Sequence, residues 1–236
     1  MSSPKKILLI GVILLLTGCT DFFMICSLNP FYLDKDIKLV PEMEGSWSVQ
    51  PLYKESGKKD REVWNQLDTT SVWKIQRRIL KETKKTARGT DTVVYNALDH
   101  YQVWLTNSKP DSAVYKFKMV LFKVDKVLYA DFMPIENSGL EKSRFASESY
   151  FKVHTLARVV LNNNQVNLSW LGAEYMKEMI EKKRVRVNYR WVSQAGRLLL
   201  TGSSEQLTGM IEKYAGEPRF IDWEKQEAML KLNRIN

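Results

Sequence analysis

Cysteine and histidine are scarce in this chain, with two of each among 236 residues. Two thiols cannot make a disulfide framework, and two imidazoles added to them fall short of a zinc ribbon or a His-rich metal centre. There is no Gly-rich phosphate loop, and no Gly-x-Ser-x-Gly turn to hold a nucleophilic serine. Internal repeats and low-complexity tracts are also missing. What is present is an ordinary globular balance of 44% hydrophobic and 27% charged residues, which excludes disorder throughout. The 7 Trp, 10 Tyr and 9 Phe supply large side chains for a β-rich core. The length suits a single barrel-type domain, since such domains often reach about 200 to 250 residues.

The chain begins with Lys5 and Lys6, no acid, and an apolar run from Ile7 to Leu16 interrupted only by Gly11. That run is shorter than the roughly 18 to 20 residues needed to cross a bilayer, so residues 1–18 read as a signal peptide. Leu16-Thr17-Gly18-Cys19 follows at once and resembles the lipobox of bacterial lipoproteins. The resemblance implies that the Cys19 thiol is alkylated by a diacylglycerol, with cleavage exposing the Cys19 amine for acylation, palmitate being a typical chain. An uncleaved anchor helix running through Phe22 to Ile25 is opposed by Asp21, because an acid at mid-membrane costs about 2.5 to 3.5 kcal/mol. Two or three acyl chains, at about 0.8 kcal/mol per buried methylene, hold a protein almost permanently. The expected partner is therefore a membrane, reached through the lipid on Cys19, at the cell envelope outside the cytoplasm. Thr20 after the cysteine favours the outer membrane over the inner. Nucleic acid is a poor partner for such a protein despite the formal charge of +9. Once Cys19 is acylated, Cys26 stays a lone thiol or packs as a small apolar side chain.

Residues 19–44 read as a lipidated tether that packs partly onto the domain, and residues 45–236 as the domain itself. Alternation is clear in Ala113, Tyr115, Phe117, Met119 and Leu121, whose shared face is core. Asp125-Lys126 turns this strand into Val127 to Met133, and Asn162 to Gln165 turns Val153–Leu161 into Val166–Trp170. Val185, Val187, Tyr189 and Trp191 alternate with Arg184, Arg186, Asn188 and Arg190, which predicts a strand with one apolar and one basic face. Arg197 to Thr201 pairs with it. Two stretches take helical period: about Gly172 to Lys183, and Ser203 to Ala215 with a Ser203–Gln206 capping box and Leu207, Met210, Ile211 and Tyr214 on one face. Trp223 to Leu232 reads as a third helix. Lys54–Thr70 and Ile135–Ser149 read as loops. The fold class expected is mainly β: an antiparallel barrel or strongly bent sheet, with two or three helices towards the C-terminus.

Gly45-Ser46-Trp47 is similar to the Gly-x-Trp that opens the first lipocalin strand, where the Trp closes one end of the barrel. With Asn29-Pro30-Phe31-Tyr32, Pro41 to Trp47, Phe117 to Phe132 and Lys152-Val153-His154-Thr155, the chain resembles a family of lipocalin-like lipoproteins of Gram-negative bacteria. The second lipocalin signature, Thr-Asp-Tyr, is not evident, and no C-terminal arginine is assigned to the Trp from sequence. The resemblance implies structural roles for Gly45 and Trp47.

Trp73, Trp104, Tyr115 and Phe117 are the candidates to line a cavity and bind a small apolar molecule, although an eight-stranded barrel can also simply be filled by such side chains. The domain is expected to hold such a molecule or to present its loops to another envelope protein. His154 has no acid or second histidine in its own strand and reads as packing. Asp99 and His100 are adjacent, a spacing that sends two strand side chains to opposite faces. Ser203-Ser204 reads as a helix cap. Arg184, Arg186 and Arg190, preceded by Lys182 and Lys183, could hold lipid headgroups or acidic glycans, although a solvated outer face gives the same pattern. No cofactor, no metal and no catalytic residue is expected, because acid, base and nucleophile do not assemble at any recognisable spacing.

Overall fold

The computed structural model describes residues 25–52, 72–85, 91–106, 115–137, 152–191, 198–215 and 229–235. Residues 1–18, expected as a signal peptide, with Cys19, the Lys54–Thr70 stretch, residues 138–149 and residues 223–228, lie outside the described residues. Eleven strands run in chain order as β1 (Cys26–Ser27), β2 (Gly45–Leu52), β3 (Val72–Lys85), β4 (Asp91–Thr106), β5 (Tyr115–Val124), β6 (Val127–Asn137), β7 (His154–Asn162), β8 (Gln165–Trp170), β9 (Tyr189–Trp191), β10 (Leu198–Leu200) and β11 (Met229–Arg234). Helix α1 spans Ala173–Glu181 and α2 spans Ser204–Tyr214.

Strands β2 to β8 form an antiparallel meander, and β6 pairs with β7 to carry it round. Strand β11 then enters between β8 and β2, antiparallel to both, and closes an eight-stranded barrel. No barrel strand is left with an open edge along its paired length, which is the physical advantage of closure. The turns between β5 and β6 and between β7 and β8 fall where the sequence places them. Asp125 (φ 53°) and Asn163 (φ 43°) supply the left-handed residues these tight connections need. Among the described residues, residues 79–85 of β3 pair only with residues 91–97 of β4, so this hairpin continues past the paired lengths of β2 and β5.

The interior is filled from every strand. Trp47, Val49, Trp73, Ile75, Tyr101, Val103, Met119, Leu121, Ala130, Phe132, Ala157, Val159, Val166, Leu168, Trp170, Leu230 and Leu232 are all buried in one cluster. A second core lies outside the barrel wall. There Phe122, Val124, Tyr129 and Leu156 pack against Ile25, Phe31, Leu171, the inward faces of α1 and α2, and Leu198 and Leu200. This second layer explains why Met119–Phe122 and Tyr129–Phe132 are buried at four successive positions: both faces of β5 and β6 are covered here. The 25–44 segment is one wall of that layer, with Phe31 fully buried and β1 inserted between β7 and β10.

Helix α2 takes the expected form. The Ser203 side chain accepts from the Gln206 N–H, and Gln206 returns a bond to the Ser203 N–H. Leu207, Met210, Ile211 and Tyr214 are buried. Three readings are corrected. Met229 to Leu232 is strand, not the end of a helix, because Leu230 and Leu232 alternate into the barrel and their backbone groups complete ladders on both sides. Ile135 to Asn137 extends β6, with a register shift opposite Lys116/Phe117 at Pro134, whose ring nitrogen has no hydrogen to donate. The basic strand is limited to Tyr189–Trp191, with Asn188 still held at its end and Arg184 drawn to α2. The Arg184 carbonyl accepts from Lys213 Nζ and the Tyr214 hydroxyl, and the Asn188 carbonyl accepts from the Thr201 and Gly202 N–H groups.

Candidate functional site

The interior residues come first. Trp73 is buried inside the barrel and its ring meets Phe132 edge-on at 6.1 Å, while Phe132 packs on Trp170 at 5.7 Å. Three aromatic rings thus bridge β3, β6 and β8 across the lumen, occupying the space a ligand would take. Phe117 is half-buried against the same cluster. Trp104 is set apart, because its strand neighbours Val103 and Leu105 take the inward positions and its cross-strand partners Lys74 and Lys116 carry the outer face. Tyr115 belongs to β5 and pairs with Leu105, and its side chain lies outside the described residues.

The closure built by Gly45 and Trp47 has a partner that sequence reasoning did not assign. The Arg234 guanidinium sits 4.4 Å from the centre of the Trp47 ring and donates to the Glu44 carbonyl at 3.0 Å and to the Glu42 carbonyl. Trp47 itself donates its indole N–H to the Met43 carbonyl at 3.0 Å. Gly45 has φ +139°, and a Cβ there would lie 2.8 Å from an Arg234 nitrogen, so glycine is needed twice over.

The most concentrated polar chemistry lies on the outer wall, beneath the second core. Asp131 on β6 and His154 on β7 meet across the sheet, with Oδ1 to Nδ1 at 2.6 Å, and both are buried. The other carboxylate oxygen of Asp131 accepts the Phe31 backbone N–H at 2.9 Å. The His154 partner thus comes from the adjacent strand, a pairing the spacing within one strand could not reveal. Ser27 stands opposite His154 in the β1–β7 register, but it is fully buried and its hydroxyl donates to the Leu200 carbonyl. A serine so placed is unavailable for attack on a substrate. Tyr32 packs nearby, and burial, reinforced by the Asp131 charge, pushes its hydroxyl up to about 12. Burial does the same to Tyr129, whose ring stacks on Phe122 at 5.6 Å. The arrangement is a clamp: the carboxylate neutralises two donors from segments that would otherwise leave them unpaired under the layer.

His100 and Asp99 meet at 3.2 Å instead of facing opposite ways. The β3–β4 register shifts between Arg77 and Ile79, and the extra residues on β4 there turn neighbouring side chains to one side. Burial lowers the affinity of His100 for a proton, against the pull of Asp99. Lys183, Arg184, Arg186 and Arg190 are exposed, as are Tyr189 and Trp191, whose rings meet at 6.1 Å. Among the described residues there is no group of three or more metal-ligating side chains, and no helix is long and apolar enough to cross a membrane. The chain matches no family model, no curated protein and no solved structure.

Proposed function

We propose that this is a lipid-anchored cell-envelope lipoprotein, held by Cys19, whose barrel acts as an interaction module through its outer surface and not as a carrier of a small ligand in its lumen. The observation that carries the second half is the filled interior, with Trp47, Trp73, Met119, Phe132 and Trp170 at 7% exposure or less. A drug-sized ligand needs a cavity of about 300 Å³ or more, and these rings take that volume. The lipocalin-like reading is supported by the Gly45, Trp47 and Arg234 closure, which supplies the C-terminal arginine that sequence alone left unassigned. The anchor reading is supported by Leu16-Thr17-Gly18-Cys19 behind an apolar run. An enzymatic role draws little support from Asp131 and His154, because Asp131 is engaged by His154 and the buried Phe31 N–H, and among the described residues no accessible nucleophile joins them.

Two measurements test this. Cells fed a clickable fatty acid should label the wild-type protein and leave Cys19→Ala unlabelled and released from the membrane fraction. Organic solvent applied to protein purified from envelopes should release no stoichiometric apolar compound, the covalent lipid staying on Cys19. A stoichiometric, non-covalent apolar compound in that extract would restore the ligand-carrier reading.

A further inference from the structure

The strands outside the barrel place the incoming chain beside an exposed basic and aromatic edge. Strand β1 runs parallel to β10, with Cys26 opposite Leu199, and β10 pairs with β9, with Leu199 opposite Arg190. At about 4.8 Å per strand spacing, Cys26 and Arg190 lie roughly 10 Å apart. The direction matters as much as the distance. Upstream of Cys26 the parallel register leads towards Leu198, and Leu198 is opposite Trp191. The chain therefore comes in at the end of the small sheet where Trp191 stands. Cys19 precedes Cys26 by seven positions, so the attachment point is at most about 25 Å from β1 even when the connection is fully extended.

At that edge Tyr189 is 39% and Trp191 45% exposed, an unusual position for two large rings in contact with each other. Arg190 points to the other face of β9 and is exposed as well. Lys183, Arg184 and Arg186 are exposed on the segment leading in, and Lys213 joins them through the Arg184 carbonyl. The acids nearby are Glu178, which binds Lys182, and the exposed Glu181 and Glu212 on the flanking helices. Cations are in excess. Tyr and Trp favour the water–hydrocarbon boundary, and clustered Lys and Arg favour anionic headgroups.

We infer that the β9 edge, with Tyr189, Trp191, Arg186 and Arg190 at its centre, is the surface with which the protein lies against the bilayer that holds its lipid, gripping anionic phospholipid headgroups. This rests on the anchor reading, since the tether is what presents the edge to a bilayer at high local concentration. A solvated outer face accounts for the arginines. It does not account for two exposed rings set where the chain enters.

The test uses the full-length lipidated protein reconstituted into vesicles of phosphatidylglycerol with phosphatidylethanolamine, or of phosphatidylcholine alone. Backbone amide exchange is followed by mass spectrometry. Amides of residues 184–191 should exchange more slowly on the anionic vesicles, and the protection should fade at high salt. Arg186→Gln with Arg190→Gln should weaken the contact by about twenty-five-fold, taking about fivefold per basic residue near an anionic surface. Tyr189→Ala with Trp191→Ala should remove protection on either vesicle, while the thermal midpoint stays put because all four side chains are exposed. Equal exchange on both vesicle types and in detergent overturns the inference, as does protection that appears only with an added acidic polysaccharide. Failure of the anchor is read separately: a chain that takes no fatty-acid label yet still gains protection from added anionic vesicles keeps the bilayer contact and loses the tether.

Discussion

The guanidinium of Arg234 lies over the ring of Trp47 at 4.4 Å and ties the last strand to the first strand of the barrel. Two residues at opposite ends of the domain thus close one structure, and the backbone pairing of Arg234 with Trp47 in the β11–β2 ladder holds them in register. Truncating a buried Trp costs about 3 to 5 kcal/mol, so Trp47→Ala should lower the urea midpoint sharply. Arg234→Lys should cost less, yet measurably, because an ammonium cannot both stack on the ring and donate in a fork to two carbonyls. A wild-type melt in Trp47→Ala would mean the ring is not the plug of this end.

Gly45→Ala is the more economical probe of the same closure. The added methyl meets Arg234 at a backbone angle that L-residues resist, and strain of that kind costs about 1 to 3 kcal/mol. The loss should shrink in an Arg234→Ala background, where the clash is relieved. Equal losses in both backgrounds would assign the cost to φ alone.

The Asp131–His154 clamp predicts a strong coupling. His154→Ala leaves a buried carboxylate with one donor in place of two, and breaking a buried pair on one side costs about 3 to 5 kcal/mol. Removing both partners, as in Asp131→Leu with His154→Leu, should cost less than the sum of the single changes. Strict additivity in the double-mutant cycle would show that the two groups do not act together.

Tyr32 and Tyr129 make the fold sensitive to alkali. Each hydroxyl is pushed from 10.0 up to about 12 in the folded chain, so between those values the unfolded chain has released the proton and the folded one has kept it. Stability is therefore intact below pH 10 and falls as pH rises towards 12. Urea midpoints should hold near pH 9 and drop in order at about pH 10.5 and 11.5, and Tyr129→Phe should make that fall shallower.

The Ser203 cap should behave locally. Ser203→Ala removes the acceptor for the Gln206 N–H and should cost about 1 kcal/mol, with Ser203→Asp close to wild type. An unchanged melt in the alanine variant would place the start of α2 under the control of packing by Leu207 and Ile211.

Local chemistry was legible in the sequence wherever neighbours along the chain decide the outcome. The α2 cap, the Asp125-Lys126 and Asn163-Asn164 turns, and the alternation of β5 and β7 all depend on residues a few positions apart, where propensity and hydrogen bonding act without outside help. The barrel as a class was legible for the same reason. Tertiary structure decided the rest, because the partners come from far away in the chain. Leu230 and Leu232 became strand since a gap between β8 and β2 offered them two ladders and an apolar lumen, which outweighs the weak helical period before them. His154 found its acid on β6, Trp47 found its cation at the C-terminus, and β9 came to rest two strands from the incoming chain. No periodicity records such meetings: each is a contact between segments whose separation the folded topology alone brings to zero.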